Sequence, residues 1–192
     1  MSQYFENSPN TSFSPRELHC VIREREFSFI TSSGVFSAKR LDPGTRTLIE
    51  SVDFSDQSIL DLGCGCGIVG IVLQSFFPKV TMSYVDVNPL AITSVKKNLK
   101  KFGLTAHVYK DSIPDTVRFD AILLNPPFSA GREVCYALIQ DSYAHLESDG
   151  VLYLVARKNK GGAMLEKKMH EIFGNVSIHA RKRGFTVYAS TR

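Results

Sequence analysis

The sequence lacks the features that would place a chain in a membrane or outside the cell. No apolar run among the 192 residues approaches the roughly 18 residues that span a bilayer. The stretch MSQYFENSPN at the start has neither a basic flank nor an apolar signal region. The four cysteines fit a reducing cytosol better than a disulfide framework, and no second pair joins Cys64 and Cys66 to complete a metal site. We therefore expect a cytoplasmic protein with no membrane partner and no metal.

Composition predicts one globular unit. Hydrophobic residues make up 43% of the chain and charged residues 22%, which is ordinary for a domain with a substantial core. We expect a single domain over residues 1–192, working as a monomer, with residues 1–15 as a loose polar lead-in.

Positive charge is concentrated in the last part of the chain. Residues 151–192 hold nine Lys and Arg against two Glu, a net charge of +7, which leaves −3 for residues 1–150 out of a total of +4. Such a basic segment suits a polyanion such as RNA, although an ordinary solvated surface has the same composition. The candidate RNA-binding residues are Arg157, Lys158, Lys160, Arg181, Lys182 and Arg183.

Strand-like and helix-like segments alternate along most of the chain. Alternation of this kind predicts an α/β fold with a doubly wound, mostly parallel sheet of seven strands and an antiparallel hairpin at the C-terminus. The predicted strands are 20–23, 26–31, 58–65, 80–88, 106–112, 119–127, 150–158, 176–182 and 184–191. The predicted helices are 42–52, 68–77, 89–103, 132–148 and 162–174.

Glycines follow the first strand of this sheet directly and open a helix. Asp61, Gly63, Gly65 and Gly67 form a turn in which the backbone can approach a ligand closely. The same stretch also satisfies the dinucleotide pattern GxGxxG. Asp86 lies about 20 residues further on, where its carboxylate can bind two ribose hydroxyls of either cofactor type.

Two acidic positions favour an adenosyl sulfonium cofactor, S-adenosylmethionine, over a nicotinamide dinucleotide. Asp61 would repel a pyrophosphate but suits a cationic methionine end. Asp111 and Ser112 end the third strand, where Asp111 can accept from an adenine amine. Asp111 could instead be only a helix cap or turn residue.

The stretch LLNPPFSAG (123–131) carries an apolar strand into two prolines. The side-chain oxygen of Asn125 and the backbone carbonyl of Pro126 can accept both N–H groups of a planar amine and draw its nitrogen toward tetrahedral geometry. Pro126 and Pro127 fix these acceptors in advance. Phe128 offers a flat face for an extruded base. The alternative is a strand stopped by prolines, with Phe128 in the core.

With these segments in view, LDLGCGCG, YVDVN and LLNPPF together resemble class I S-adenosylmethionine-dependent methyltransferases that act on amino nitrogens. GVFSAKRLDPGT (34–45) resembles the GVFS…DxG segment of the small-domain methyltransferase family, which includes the RsmC-type rRNA guanine-N2 enzymes. The resemblance covers roughly residues 27–192 and implies a Rossmann-like methyltransferase fold. It implies that the segment closes over the cofactor. The cofactor-binding candidates become Phe36, Ser37, Asp42, Thr45, Asp61, Gly63, Gly65, Gly67, Asp86, Asn88, Asp111, Ser112 and Asn125.

Our leading hypothesis is methyl transfer to the exocyclic amine of a nucleobase in RNA, guanine N2 of rRNA, on free RNA or a ribosomal subunit. The bacterial RsmC-type enzymes carry a second, degenerate domain ahead of the catalytic one, so this shorter chain resembles the single-domain archaeal members. A glutamine methyltransferase of the release-factor type shares the Asn-Pro-Pro motif but usually continues with tyrosine. Adenine is another possible acceptor. A dinucleotide-dependent oxidoreductase and a non-catalytic RNA-binding module are the alternatives from other classes.

Overall fold

A computed structural model describes residues 12–35 and 40–192 of the chain. The described residues form nine strands and five α-helices. The strands are β1 (Pro15–Ile22), β2 (Arg25–Ser32), β3 (Ser58–Leu62), β4 (Thr81–Asp86), β5 (His107–Lys110), β6 (Phe119–Leu124), β7 (Leu146–Ala156), β8 (Ser177–Lys182) and β9 (Phe185–Thr191). The helices are α1 (Pro43–Ile49), α2 (Ile68–Phe76), α3 (Pro89–Phe102), α4 (Arg132–His145) and α5 (Ala163–Phe173).

Seven of the strands form one sheet in the order β5-β4-β3-β6-β7-β9-β8. The strands from β5 to β7 pair in parallel, and β9 is antiparallel to both β7 and β8. The predicted doubly wound, mostly parallel sheet with a closing hairpin is confirmed. Strand order reverses between β3 and β6, and in open sheets of this kind ligands bind beyond the carboxyl ends of the strands at that point.

Helices cover both faces of the sheet. Helices α1, α2 and α3 bury their apolar sides on one face together with the β1–β2 hairpin. Helices α4 and α5 cover the other face. All four cysteines are free thiols. None of the helices in the described part of the chain is both long and apolar enough to cross a bilayer.

The N-terminal hairpin is longer than the sequence indicates. Strand β1 begins at Pro15, the last residue of the predicted lead-in, and pairs with β2 along its whole length. The turn consists of Arg23 and Glu24, with φ of 49° and 64°. Two consecutive positive φ angles suit a tight hairpin turn. Such turns usually contain Asn or Gly, so the pair Arg-Glu does not indicate one in the sequence.

The boundary between α4 and β7 also differs from the prediction. The helix was expected to run to residue 148 and the strand to start at 150, but the helix ends at His145 and β7 begins at Leu146. Leu146 pairs with Phe119, and the register then shifts before Val151 pairs with Ala121. The Asp149-Gly150 break, which resembles a strand start, is therefore an irregularity inside a longer strand.

Candidate active site

The glycine turn joins β3 to α2 at the carboxyl edge of the sheet. Gly63, Gly65 and Gly67 have φ of 71°, 55° and 83°, which glycine adopts without strain. A Cβ on Gly67 would lie 2.6 Å from Cγ2 of Val95 in α3. The glycine therefore allows the start of α2 to pack directly against α3.

Asp61 lies just before this turn and is buried, with only 3% of its surface exposed. Its Oδ2 accepts a hydrogen bond from the backbone N–H of Gly70 at 3.2 Å. Gly67 has no side chain to cap α2, so the Asp61 carboxyl satisfies one of the free N–H groups in the first turn. Burial raises the pKa of Asp61 to about 7, although the Gly70 hydrogen bond opposes the shift.

Asp86 ends β4 and faces the same turn. Its Oδ2 accepts from the backbone N–H of Gly65 and its Oδ1 from that of Asn88, both at 2.8 Å. Burial raises the pKa of Asp86, and these backbone hydrogen bonds oppose the rise. The carboxylate therefore holds the glycine turn in shape, a structural use that its place in the sequence did not indicate. Each oxygen keeps a lone pair for a ligand hydroxyl.

Asn88 connects α3 to the segment that precedes α1. Its side-chain oxygen caps α3 by accepting from the N–H of Leu90 at 2.9 Å, and its Nδ2 donates to the carbonyl of Gly34 at 2.9 Å. The start of the GVFS segment is thereby held beside the glycine turn. The candidates Phe36 and Ser37 lie outside the described residues.

Asp111 and Ser112 follow β5, and both are exposed. The backbone N–H of Asp111 donates to the carbonyl of Asp86 at 3.2 Å, which brings the end of β5 to the end of β4. Asp111 has φ of 69°. Its side chain borders the same edge as Asp86, and its left-handed backbone also fits the alternative of a turn residue.

The Asn-Pro-Pro corner ends β6, next to β3 in the sheet. Pro127 has φ −77° and ψ 83°, and the N–H of Phe128 donates back to the Pro126 carbonyl at 3.0 Å. These values describe an inverse γ-turn. The γ-turn occupies one lone pair of the Pro126 carbonyl. A second lone pair remains.

The amide of Asn125 meets the beginning of α1. Its Nδ2 donates to Oδ2 of Asp42 at 3.0 Å and to Oγ1 of Thr45 at 2.9 Å. Asp42 is the N-cap of α1, and the same Oδ2 accepts from the N–H of Thr45 at 2.8 Å. Both hydrogens of the Asn125 amide are thus bound inside the protein. Within the described residues, no group donates to its Oδ1.

Phe128 is 40% exposed, so the alternative that it belongs to the core is wrong. One edge of its ring is covered by the turn at Lys158–Gly162, where a Cβ on Gly161 would lie 2.8 Å from Cε1 of Phe128. Gly161 has φ of 92°. The turn therefore supports the aromatic ring and leaves the rest of it open to solvent.

The basic candidates separate into two groups. Lys158 and Lys160 are exposed in the turn that supports Phe128, and the guanidinium of Arg157 lies over the ring of Phe185 at 4.6 Å. These three side chains border the carboxyl edge of the sheet.

The second group lies at the end of β8 and in the turn that follows it, and part of it is bound to the end of α1. Arg183 donates to Oε2 of Glu50 at 2.8 Å, and Lys182 donates to the Glu50 carbonyl at 3.3 Å. Partial burial alone would raise the pKa of Glu50, but the hydrogen bonds from Arg183 and Arg46 lower it below its ordinary value. Arg181 is exposed.

The residue types at this edge match S-adenosylmethionine. Three neighbouring parallel strands carry acidic residues at or just beyond their carboxyl ends, namely Asp61, Asp86 and Asp111. Carboxylates suit hydroxyl, amino and cationic groups, whereas a pyrophosphate at the glycine turn would be repelled by Asp61. Together, the sheet and these side chains define a Rossmann-like methyltransferase that uses S-adenosylmethionine.

Comparison with known proteins assigns the chain to a family. The profile of the methyltransferase small domain matches residues 26–189, and the chain belongs to that family. A Bacillus subtilis protein, "Uncharacterized protein YbxB", is 33% identical over 96% of this chain and 95% of its own length. "Ribosomal RNA small subunit methyltransferase C" of Shewanella loihica is 32% identical over 87% of this chain and 50% of its own. This chain spans about half the length of the relatives of that name.

A solved structure shares the fold and is bound to ligands. The Thermus thermophilus 16S rRNA N2 G1207 methyltransferase (RsmC), in complex with AdoMet and guanosine, superposes with a TM-score of 0.82. It is 25% identical, and the match covers 96% of this chain and 52% of that one. The family assignment removes the dinucleotide oxidoreductase from consideration.

Several contacts at the candidate site were not visible in the sequence. The hydrogen bonds from Asn125 to Asp42 and Thr45 join residues 83 and 80 positions apart. Gly161 gave no signal as a neighbour of Phe128, because the two belong to different loops. The pattern Asn-x-Gly-Gly after a strand marks a turn but does not say which ring the turn will cover.

Proposed function

We propose that this chain transfers a methyl group from S-adenosylmethionine to the exocyclic amine of a nucleobase in RNA, guanine N2 of rRNA. The observation that carries the proposal is the orientation of the Asn125 amide. Because both Nδ2 hydrogens are held by Asp42 and Thr45, Oδ1 is directed away from them as an acceptor to which no group of the described residues donates. A substrate amine needs such an acceptor, and a structural asparagine would be expected to use its oxygen within the protein.

The Asn-Pro-Pro corner supplies the acceptors for the amine. Asn125 Oδ1 takes one N–H group and the free lone pair of the Pro126 carbonyl takes the other, which draws the nitrogen toward tetrahedral geometry. When bound, S-adenosylmethionine would supply the electrophilic methyl group, with the S–CH3 bond breaking and S-adenosylhomocysteine leaving as a neutral thioether. The γ-turn at Pro127 holds the carbonyl in place before substrate arrives, so little ordering remains at the reaction step. No general base is needed, since the proton is lost to solvent after the new N–C bond forms.

The acidic edge holds the cofactor in this proposal. Asp86 accepts from the ribose hydroxyls, Asp61 and the glycine turn face the methionine end, and Asp111 with Ser112 borders the adenine. Asn88 acts by holding Gly34 and the start of the closing segment. Phe36 and Ser37 stay candidates for this pocket on the family resemblance alone.

The RNA contacts lie beside the acceptor site. Phe128 stacks on the target base, and Lys158 and Lys160, which share its supporting turn, neutralise nearby phosphates. Arg157 extends the same positive surface, and Arg181 adds an exposed charge in the second basic group. Lys182 and Arg183 contribute less, because their charged groups already contact Glu50. The choice of guanine rests on the RsmC structure, whose described ligands include guanosine.

Labelled methyl transfer into a mixture of undermethylated RNA and protein tests this function, with digestion to nucleosides and an Asn125→Ala control. We expect label in N2-methylguanosine with the wild-type chain and not with the variant. Label in methyladenosine would keep the chemistry and overturn the guanine assignment. Label confined to protein glutamine would overturn the RNA assignment. If the chain bound the cofactor but transferred no methyl group, the assignment as an enzyme would be wrong and the RNA-binding module would remain.

A further inference from the structure

Asp42 and Thr45 are expected, from the family resemblance, to line the cofactor pocket, yet their polar atoms meet Asn125. We propose that both are positioning residues for the acceptor site: they fix the orientation of the Asn125 amide, and the Asp42 carboxylate strengthens its oxygen as an acceptor. The inference rests on the proposed function, since it assigns a task to neighbours of Asn125.

The geometry matches donors to acceptors one for one. The Asn125 amide has two N–H bonds, and two oxygens receive them, Oδ2 of Asp42 at 3.0 Å and Oγ1 of Thr45 at 2.9 Å. Thr45 is buried, with 7% of its surface exposed. Asp42 and Asn125 are partly buried, and the two bonds together define one orientation of the amide.

The reverse orientation of the amide is unfavourable. An ionised carboxylate can only accept hydrogen bonds. Turning the Asn125 amide over would place Oδ1 against Oδ2 of Asp42 and leave both Nδ2 hydrogens without these partners. The carboxylate therefore selects the orientation in which Oδ1 is available to a substrate, which a neutral hydroxyl alone would not do.

The carboxylate also polarises the amide. A hydrogen bond from an amide N–H to an ionised acceptor shifts electron density along the group toward its oxygen. The Asn125 oxygen then accepts more strongly from the substrate amine, whose nitrogen has to give up planarity. Charge on Asp42 thus acts on the reaction through Asn125 without touching the substrate.

The start of α1 is itself firmly placed, as a positioning element requires. Asp42 has extended backbone angles, φ −64° and ψ 133°, and caps the helix through the N–H of Thr45. Gly44 lets the ring of Phe185 lie against the helix, since a Cβ there would be 2.9 Å from Cε1 of that ring. At the other end of α1, Arg183 binds Glu50 at 2.8 Å. The hairpin β8–β9 thereby supports the helix that orients Asn125.

Asp42→Ala and Thr45→Val test the proposal, with Thr47→Val as the matched control. Thr47 is buried in the same helix and donates to the carbonyl of Pro43, but it has no contact with Asn125 among the described residues. We expect kcat to fall about 10- to 100-fold in Asp42→Ala and about 10-fold in Thr45→Val, in line with loss of a hydrogen bond to a charged and to a neutral partner. Thr47→Val is expected to retain kcat.

Conservative variants separate positioning from folding. Asp42→Asn keeps the cap and one acceptor oxygen but removes the charge, so we expect a loss of kcat between those of wild type and Asp42→Ala. Thr45→Ser keeps the hydroxyl, and we expect it to restore kcat to near the wild-type value. These two variants keep the test usable where the larger substitutions prevent folding.

A second readout does not depend on activity. In the ¹⁵N spectrum of the whole protein, the side-chain amide of Asn125, assigned through Asn125→Ala, should show two protected hydrogens that shift and exchange faster in Asp42→Ala. The Kd for S-adenosylhomocysteine should stay within about twofold of wild type in every variant, a difference well below the tenfold that one strong contact contributes.

Three outcomes would overturn the proposal. If Asp42→Ala weakened cofactor binding and kept kcat, Asp42 would only line the cofactor pocket. Equal losses of kcat in Thr47→Val and Thr45→Val would reduce the effect to helix packing. If the Asn125 amide signals were unchanged in Asp42→Ala, the hydrogen bond between the two side chains would not exist in solution. A wild-type chain without transfer would instead overturn the proposed function, while the amide spectrum would still decide the orientation.

Discussion

The active-site edge has two halves that are built in different ways. The cofactor half consists of the turns after β3, β4 and β5, where the carboxylate of Asp86 holds Gly65 and Asn88 within about 20 residues of sequence. The acceptor half consists of the Asn-Pro-Pro corner after β6, the start of α1 and the Lys158–Gly162 turn. Its central contact joins Asn125 to Asp42, 83 positions away.

This difference predicts that the two halves of the proposed site are separable in function. In the cofactor half, acidic side chains accept from neighbouring backbone N–H groups, so the pocket is formed by local turns. In the acceptor half, side chains from three distant segments converge on Asn125 and Phe128. Changes in one half should therefore alter cofactor affinity, and changes in the other should alter turnover.

The largest effect is expected for Asn125→Ala. Loss of Oδ1 removes one of the two acceptors for the substrate amine, and we expect kcat to fall about 100-fold or more, the usual scale for one directed polar group in an active site. The Kd for S-adenosylmethionine should change little. Single-turnover methyl transfer and calorimetry measure the two quantities separately. If Asn125→Ala raised the Kd for S-adenosylmethionine tenfold and left kcat unchanged, Asn125 would belong to the cofactor half and the division into two halves would be wrong.

The opposite pattern is expected for Asp86→Ala. Loss of the carboxylate removes the contact to the ribose hydroxyls and loosens Gly65, so we expect the Kd for the cofactor to rise about 10- to 100-fold. At saturating cofactor, kcat should remain near the wild-type value. Calorimetry with S-adenosylhomocysteine, together with a thermal unfolding curve, distinguishes a lost contact from a collapsed turn. Unchanged affinity would limit Asp86 to its structural hydrogen bonds.

The sequence predicted the cofactor half much better than the acceptor half, for a physical reason. Strand–glycine–helix and strand–acid patterns are local, so Asp61, Gly67 and Asp86 could be placed on one edge from the order of elements alone. The bond from Asn125 to Asp42 depends on how α1 packs against β7 and β9, which the periodicity of the sequence does not encode. The same holds for Gly161 against Phe128.

A pH effect of intermediate size is expected in the cofactor half. Burial raises the pKa of Asp61 from 3.8 to about 7, so the folded chain keeps a proton there that the unfolded chain has lost. The contribution of Asp61 to folding stability therefore decreases as pH rises from about 4 to about 7. A cationic ligand favours the ionised form, so cofactor affinity should increase about tenfold between about pH 6 and about pH 8.

Asp61→Asn is the control for this profile. Asparagine keeps an oxygen for the N–H of Gly70 but cannot ionise, so calorimetry at the two pH values should give nearly equal affinities. Burial also raises the pKa of Asp86. Any change of cofactor affinity with pH that remains in Asp61→Asn therefore measures the contribution of Asp86. If cofactor affinity changed equally with pH in wild type and in Asp61→Asn, ionisation of Asp61 would not contribute to cofactor binding.

The smallest effect is expected for Gly161→Ala, which tests the outer part of the acceptor half. A Cβ there would lie 2.8 Å from the ring of Phe128 and would strain a backbone with φ of 92°. We expect the ring to shift and kcat/KM for RNA to fall about threefold, with unchanged cofactor affinity. Gly184→Ala is the matched control, because its φ is 76° and no atom lies within 4 Å of the added Cβ. Steady-state kinetics of both variants separate backbone strain from displacement of Phe128. Equal losses in the two would show that the turn does not position the ring, and would leave Asn125 as the only anchored part of the acceptor half.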